Sequence, residues 1–311
     1  MSLVIEVAAA VLLRDDGREF LLAQRPEGKA YAGYWEFPGG KQEPGETVGE
    51  ALARELQEEL AIVPTQATPW LTRRFSYPHA EVNLHFWRVT DWQGVLRPVE
   101  HSAVEWLAMD GPITVAPVLP ANAPILKALT LPPVMAITNL SETGEDHELT
   151  RLQEAVGRGL RLFQVRDKLL PPPERARFAQ AAREMVDHRG ALLLVNDDEE
   201  LARRIGADGL HLSAQNLCRC QSRPEFSWVG ASCHDAAELQ QACNLELDYA
   251  LIGPVLPTLT HPGVPGLGWE GFARLAATCP IPVFALGGMR MEMLAVAQQY
   301  GAHGIALMRN W

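Results

Sequence analysis

The chain has 311 residues, 47% of them hydrophobic and 21% charged, proportions that exclude the disordered, collagen-like and coiled-coil classes. That length corresponds to two domains at about 100 to 200 residues each. A net charge of −11 is spread over both halves, so neither has the basic excess that a nucleic acid polymer attracts, whereas a free nucleotide escorted by a metal ion stays compatible.

The opening MSLVIEVAAAVLL lacks the basic region and cleavage site of a secretory signal. No segment reaches the roughly 18 uninterrupted apolar residues of a membrane span, so a cytoplasmic protein without a membrane partner is expected. Five cysteines, Cys218, Cys220, Cys233, Cys243 and Cys279, all lie in the second half. An odd number without a secretory signal argues against a disulfide framework. Cys218 and Cys220 lack the second pair of a metal site, which leaves reduced thiols as the expectation.

Strand signals begin with IEVAAAVLL and, after the turn RDDGRE, FLLAQR. The stretch YAGYWEFPGGK leads into a helix at about Thr47 to Ala61. RRFSYP, AEVNLHFWRVTDW and VEWLAM read as further strands, and PANAPILKAL as a short helix after two prolines. Pro132-Pro133 marks a seam between a first domain, 1–131, and a second, 132–311. Beyond it the rhythm becomes strand, helix, strand, helix. VMAITNL, LRLFQVRD, ALLLVND, GLHLS, SWVGAS, YALIGPV, PVFALGG and HGIALM are the strands, with helical patterns such as PPERARFAQAAREMVDH between most of them. Near-continuous apolar strands suit a parallel sheet buried on both faces. Eight in alternation favour a (β/α)8 barrel over an open doubly wound sheet. Trp311 falls about three residues after the last strand, so the eighth outer helix is missing. The apolar surface this leaves is expected to be covered by the N-terminal domain or a second subunit; the sequence is compatible with a homo-oligomer.

The sharpest chemical signal is GGKQEPGETVGEALARELQEELAI, residues 39–62. On a helix, Glu55, Glu58 and Glu59 stand at i, i+3 and i+4 and share one stripe, while Leu52, Leu56 and Leu60 form another for the core. Like charges at that spacing cost only about 0.2–0.5 kcal/mol per pair, so a solvated acidic face is the bland alternative. A preceding glycine loop, Lys41 as a phosphate contact, and an all-oxygen carboxylate cluster suited to Mg²⁺ or Mn²⁺ favour metal chemistry.

This segment resembles the Nudix hydrolase signature, except that the family's usual glycine near its end is Ala61. The resemblance implies an α/β/α sandwich in which Glu55, Glu58 and Glu59 hold divalent cations, the Gly39 carbonyl is another ligand, and Arg54 orients the carboxylates. Hydrolysis of a diphosphate link follows, with a carboxylate to position or deprotonate the water. Glu105 in SAVEWLAM is the first candidate for that role and Glu59 the second. YWEFPGGK, RELQEEL, VEWLAM and PANAPILKAL together look like the MutT type, which cleaves 8-oxo-dGTP to the monophosphate and pyrophosphate. Asn122 would then read the oxidised guanine edge, since an amide both donates and accepts, and Arg25 would contact the nucleotide. The bland readings are a helix cap for Asn122 and a surface charge for Arg25. Ala80 replaces the polar residue common in that type.

In the second half FQVRDK, LLVNDD, GADGLHL, GASCH, IGPVLPTLTHPG and FALGG fall in the order, and at the strand ends, of thiamine phosphate synthase and its TenI-like relatives. Barrel folds place their chemistry at those ends. By resemblance Gln164, Arg166 and Lys168 face a pyrimidine diphosphate, and Asn196 and Asp197 help hold it and its Mg²⁺. Ser232, Thr258, Thr260, Gly287 and Gly288 address the second substrate and its phosphate. Three positions depart from the synthases: Asn216 for an aspartate metal ligand, His261 for a lysine on the diphosphate, and Arg309 for a serine near the thiazole phosphate. Losing a metal carboxylate and a diphosphate contact removes several kcal/mol of transition-state stabilisation, about a hundredfold or more in rate. An impaired synthase, a TenI-like tautomerase using His234 as acid–base, and a non-catalytic module that binds a thiamine-pathway phosphate all remain open, the last as a ligand sensor for a first domain that hydrolyses either a nucleotide or a thiamine-pathway diphosphate.

Overall fold

The computed structural model describes residues 4–77, 80–167, 170–258, 263, 265–309 and 311. It divides into two compact units, Met1–Thr130 and Leu131–Trp311.

The first unit is built on β1 (Val4–Arg14) and β2 (Glu19–Gln24), followed by two short strands inside the glycine- and aromatic-rich stretch, β3 (Trp35–Glu36) and β4 (Gly39–Lys41). Then come α1 (Val48–Leu60), β5 (Val63–Tyr77), β6 (Ala80–Gln93), β7 (Ala103–Ala108), a 3₁₀ turn at Pro120–Asn122 and α2 (Ala123–Leu129). The sheet runs β3-β2-β1-β6-β5, with β4 on β1 and β7 on β2; β1 and β6 are parallel. Alternation along β1 sends Ala8, Ala10 and Leu12 to one face, where Leu52, Leu56 and Leu60 of α1 pack, and Ala9, Val11 and Leu13 to the other, where Ile125 and Leu129 of α2 pack. The unit is therefore an α/β/α sandwich. β5 is longer than its sequence signal because an edge strand tolerates proline: register shifts fall between Pro64 and Gln66 and between Pro69 and Leu71.

The second unit alternates β8 (Val134–Ile137), α3 (Leu140–Thr143), α4 (Glu145–Gly157), β9 (Leu162–Val165), α5 (Pro172–Asp187), β10 (Leu192–Asn196), α6 (Glu199–Arg204) and β11 (Gly209–Leu212). It continues through α7 (Ala214–Arg219), β12 (Trp228–Cys233), α8 (Ala236–Asn244), β13 (Tyr249–Ile252), α9 (Gly268–Ala276), β14 (Val283–Leu286), α10 (Leu294–Gln299) and β15 (Gly304–Leu307). All eight strands are parallel neighbours and close into a barrel. Met135, Leu162, Leu194, Tyr249, Leu251 and Phe284 fill the interior, while a larger apolar shell joins the outer strand faces to the helices.

The outward side chains of the last strand are covered in this shell: Ile305 is 0% and Leu307 1% exposed. Trp311 belongs to the same cluster. Its indole N–H donates to the Ile137 carbonyl at 3.1 Å, and its ring meets Phe163 edge-on. Trp311, four residues beyond the end of β15, thus contributes an aromatic cover beside β8. All five cysteines are free thiols, and burial pushes Cys233 up to about 12, an inert rather than a reactive state. Among the described residues no helix is long and apolar enough to cross a membrane.

Candidate functional site

The acidic stripe of the first unit is fixed before any ligand arrives. Thr47 caps α1 by accepting the Glu50 amide, and Glu50 returns to the Thr47 amide at 2.7 Å, a reciprocal capping box. At the far end Ala61 takes φ 59, ψ 31, the left-handed conformation usually given to glycine, and its N–H closes the helix on Gln57 and Leu56. The helix ends as the signature requires, at a backbone cost of about 1–2 kcal/mol for an alanine.

Arg54 gathers the carboxylates. Its guanidinium donates to Glu46 at 2.8 Å, Glu55 at 2.9 Å, Glu58 at 3.2 Å and the Lys41 carbonyl at 3.0 Å. These bonds, Glu46 foremost, hold Arg54 firmly charged. Burial raises the Glu55 carboxyl above its usual range, partly offset by Arg54, with Glu59 and Glu58 adding repulsion. Glu59 is 5% exposed and accepts the Gly39 amide at 2.9 Å. A Cβ on Gly40 would lie 2.2 Å from the Glu55 carboxyl carbon, so the glycine is what admits that carboxylate. Among the described residues no three His, Cys, Asp or Glu groups are yet drawn to one metal-sized point; the guanidinium sits between them.

Beside this stripe lies a cleft of about 480 Å³ lined by Arg25, Lys41, Gly39, Gly40, Glu55 and Glu59 together with Tyr31, Glu36, Tyr77 and His101. Arg25 is no loose surface charge: its Nη1 donates to both Glu36 carboxylate oxygens, at 2.6 and 2.5 Å, and its Nε donates to the Ala30 carbonyl at 2.7 Å. Burial raises the Glu36 carboxyl, and Arg25 opposes the shift. His101 Nε2 stands 3.0 Å from Glu59 yet out of line for a hydrogen bond. Glu36 and His101 were not singled out in the sequence; Glu36, between Trp35 and Phe37, stands on a strand too short to show alternation.

Two sequence expectations sit differently. Glu105 is exposed on β7 opposite Leu22 and does not line the cleft. The antiparallel register puts Ala103, not Glu105, beside Gln24 at the cleft end of the strand pair. Asn122 is 5% exposed, makes no cap for α2, and leaves its Nδ2 buried without a partner.

In the barrel, a cavity of about 620 Å³ at the C-terminal strand ends collects Gln164, Arg166, Asn196, Ser232, His234 and Thr258, with Gly287 and Gly288. Both glycines have left-handed φ, 95° and 70°, and a side chain on Gly287 would come 2.6 Å from Pro254. Burial lowers the Arg166 pKa from its ordinary value, offset by Asp167 and Asp197. Asn196 donates to the His211 carbonyl at 3.0 Å and leaves Oδ1 buried without a partner. His234 Nδ1 lies 2.9 Å from Glu238. Asp197, turned by φ 61, instead accepts the Ser213 amide at 2.7 Å and does not line the cavity. Asn216 sits on α7 outside the lining, its amide on Ser213. Lys168, Thr260 and His261 lie outside the described residues. Ser232 stands 2.9 Å from His211 Nε2, whose Nδ1 meets the buried Tyr249 hydroxyl at 3.0 Å. His211 was visible only as part of the strand GLHL, where its inward direction depends on closure.

A carboxylate-bearing helix beside a nucleotide-sized cleft, and a parallel barrel with a basic cavity at its strand ends, define a fusion of two phosphate-handling enzyme folds. The first unit matches the NUDIX domain over residues 4–129, and the second matches thiamine monophosphate synthase over residues 134–310. The CTP pyrophosphohydrolase of Escherichia coli (strain K12) is 41% identical over 125 residues, 40% of this chain and 90% of that protein. The putative thiamine-phosphate synthase 2 of Aquifex aeolicus is 32% identical over 181 residues, 57% of this chain and 96% of that protein. The thiamine-phosphate synthase of Thioalkalivibrio sulfidiphilus is 35% identical over 165 residues, 51% of this chain and 78% of that protein. The chain belongs to the thiamine monophosphate synthase family through its barrel and carries a Nudix hydrolase domain, acting on phosphoric anhydrides, ahead of it.

Proposed function

We propose that the first unit hydrolyses a nucleoside triphosphate to the monophosphate and pyrophosphate with Mg²⁺ or Mn²⁺, and that 8-oxo-dGTP is its substrate. The observation that carries the reading is the Arg54 knot: one guanidinium holds Glu46, Glu55 and Glu58 together beside the cleft. The donors are all oxygen, which fits a hard cation, and the space at Gly40 is already taken by a ligand-type carboxylate. Glu55, Glu58, Glu59 and the Gly39 carbonyl would hold the metal, which neutralises charge on the phosphate oxygens and lowers the pKa of a bound water. Arg54 keeps the carboxylates oriented, Lys41 meets phosphate, and Arg25 lies where the nucleoside enters. Glu59, buried and in the cleft, is preferred to position the water over Glu105, which is exposed on β7 and not part of the cleft lining. Asn122 does not itself line the cleft, but it is bonded through its backbone to Leu119, which does, and its unpartnered Nδ2 favours recognition of a base acceptor such as the 8-oxo-guanine edge. A second reading, cytidine triphosphate, is favoured by likeness to a CTP pyrophosphohydrolase and by Glu36 on the cleft wall, since a carboxylate accepts from the cytosine amino group.

For the barrel we infer binding of phosphorylated thiamine precursors with weak synthase turnover, because Asn216, His261 and Arg309 replace an aspartate, a lysine and a serine. Retention of Gln164, Arg166, Asn196 and Ser232 around one cavity supports the bifunctional reading, in which the synthase works.

One substrate panel tests both halves. The intact protein and its Glu58→Gln variant are assayed with 8-oxo-dGTP, dGTP and CTP, and with the pyrimidine diphosphate plus thiazole phosphate pair. Hydrolysis of every nucleotide should fall at least a hundredfold in the variant, with any synthase rate unchanged. Equal hydrolysis by both proteins would overturn the metal assignment, and preference for CTP would replace the proposed nucleotide.

A further inference from the structure

Among the described residues that line the barrel cavity, the charged side chains are Arg166, Arg290 and Arg309, and none is an aspartate or glutamate. Such a lining selects an anion. Arg309 stands at the rim just after β15 and is already forked onto a carboxylate: Nε donates to Glu142 at 2.8 Å and Nη2 to its other oxygen. This is the two-pronged geometry in which a guanidinium takes a phosphate. Glu142 belongs to the four-residue α3, and its side chain is 49% exposed, that of Arg309 30%. The hydrogen bonds from Arg309 hold the Glu142 carboxyl below its usual range.

The backbone beneath Arg309 is held independently. Its carbonyl accepts Arg151 at 2.8 Å, and Arg151 is anchored on the buried Glu148 at 2.7 Å and stacked 4.0 Å over Trp311. The side chain can therefore change partner by rotation about its own bonds while the strand end stays put.

We propose that Glu142 is an internal counter-ion that occupies Arg309 until a phosphate monoester enters the cavity, and that Arg309 then becomes a phosphate ligand facing the Gly287–Gly288 turn. The proposal rests on the reading of the barrel as a phosphate-binding site and names the residue pair that sets its affinity. A phosphate dianion outcompetes the carboxylate because it brings more charge to the same fork. The arginine that departs from the synthase pattern is then a replacement contact for the second substrate, and the carboxylate beside it keeps the empty cavity from holding stray anions.

The test is calorimetric titration of the full chain with inorganic phosphate and with the phosphate monoester of hydroxyethylmethylthiazole. EDTA is present throughout, so that the acidic helix of the first unit recruits no phosphate through a cation. Arg309→Ala should weaken monoester binding about tenfold or more, and Arg309→Lys by less. Glu142→Gln should tighten it about threefold to tenfold, and that gain should vanish in the Glu142→Gln/Arg309→Ala double variant. Unchanged binding in Arg309→Ala, or weaker binding in Glu142→Gln, overturns the counter-ion pair and leaves the phosphate-binding barrel intact. If the unaltered protein binds neither probe, the barrel reading falls and this proposal with it.

Discussion

Gly40 matters for what it leaves out. Its missing side chain is the space in which the Glu55 carboxylate lies, 2.2 Å from where a Cβ would stand. A methyl group there has to displace the carboxylate, because the glycine backbone is tied into β4 against Ala8 of β1. Gly40→Ala is expected to cut nucleotide hydrolysis at least tenfold while the thermal unfolding midpoint moves little; unchanged hydrolysis would show that Glu55 does not need that place. The three glutamates were legible because helical spacing converts sequence offsets into a face, and Arg54 through the resemblance of that segment to the Nudix signature. Glu36, His101 and His211 were not: their partners Arg25, Glu59 and Ser232 are 11, 42 and 21 positions away in the sequence, and such contacts exist only after strands pair.

Helix α1 owes its position to both ends. The Thr47–Glu50 box satisfies amides that the first turn leaves free, and the bonds from Thr47 lower the Glu50 carboxyl pKa below its usual value of about 4.5. A carboxyl depressed by folding contributes stability above its unfolded pKa, and that contribution disappears as pH falls through the folded value. Separately, loss of the N-cap in Thr47→Ala should cost about 1 kcal/mol at pH 7 in chemical denaturation. Glu50→Gln should lower the melting temperature at pH 7 and converge with the unaltered protein in strongly acidic buffer; a difference that persists there would mean the charge is not what the cap uses. Elements with a strong period, α1 and the eight barrel strands, stood out in the sequence. The first half of β5 did not, since Pro64 and Pro69 read as breakers until the strand is seen to lie at a sheet edge.

Closure is the property of the barrel as a whole, and Trp311 is where it is most exposed to test. The indole is 8% exposed, bonded to the Ile137 carbonyl, packed on Phe163 and covered by Arg151. Trp311→Ala should destabilise the barrel by about 3–5 kcal/mol, read as an earlier urea transition of the full chain, with nucleotide hydrolysis measured as the control. A shift below about 1 kcal/mol would mean that this aromatic cover is dispensable. The sequence by itself determined the two-part organisation, the carboxylate stripe of α1 and the strand ends that border the barrel cavity, because local periodicity and motif spacing are properties of neighbours along the chain. Only the tertiary structure decided that Glu105 and Asp197 stand outside the cavities they were assigned to. The same folding set Arg25 on Glu36 and brought Arg309 to the rim opposite Glu142. Those placements depend on register, on turns with left-handed φ and on closure of the sheet, each of which joins residues far apart in the chain and is written at no single position.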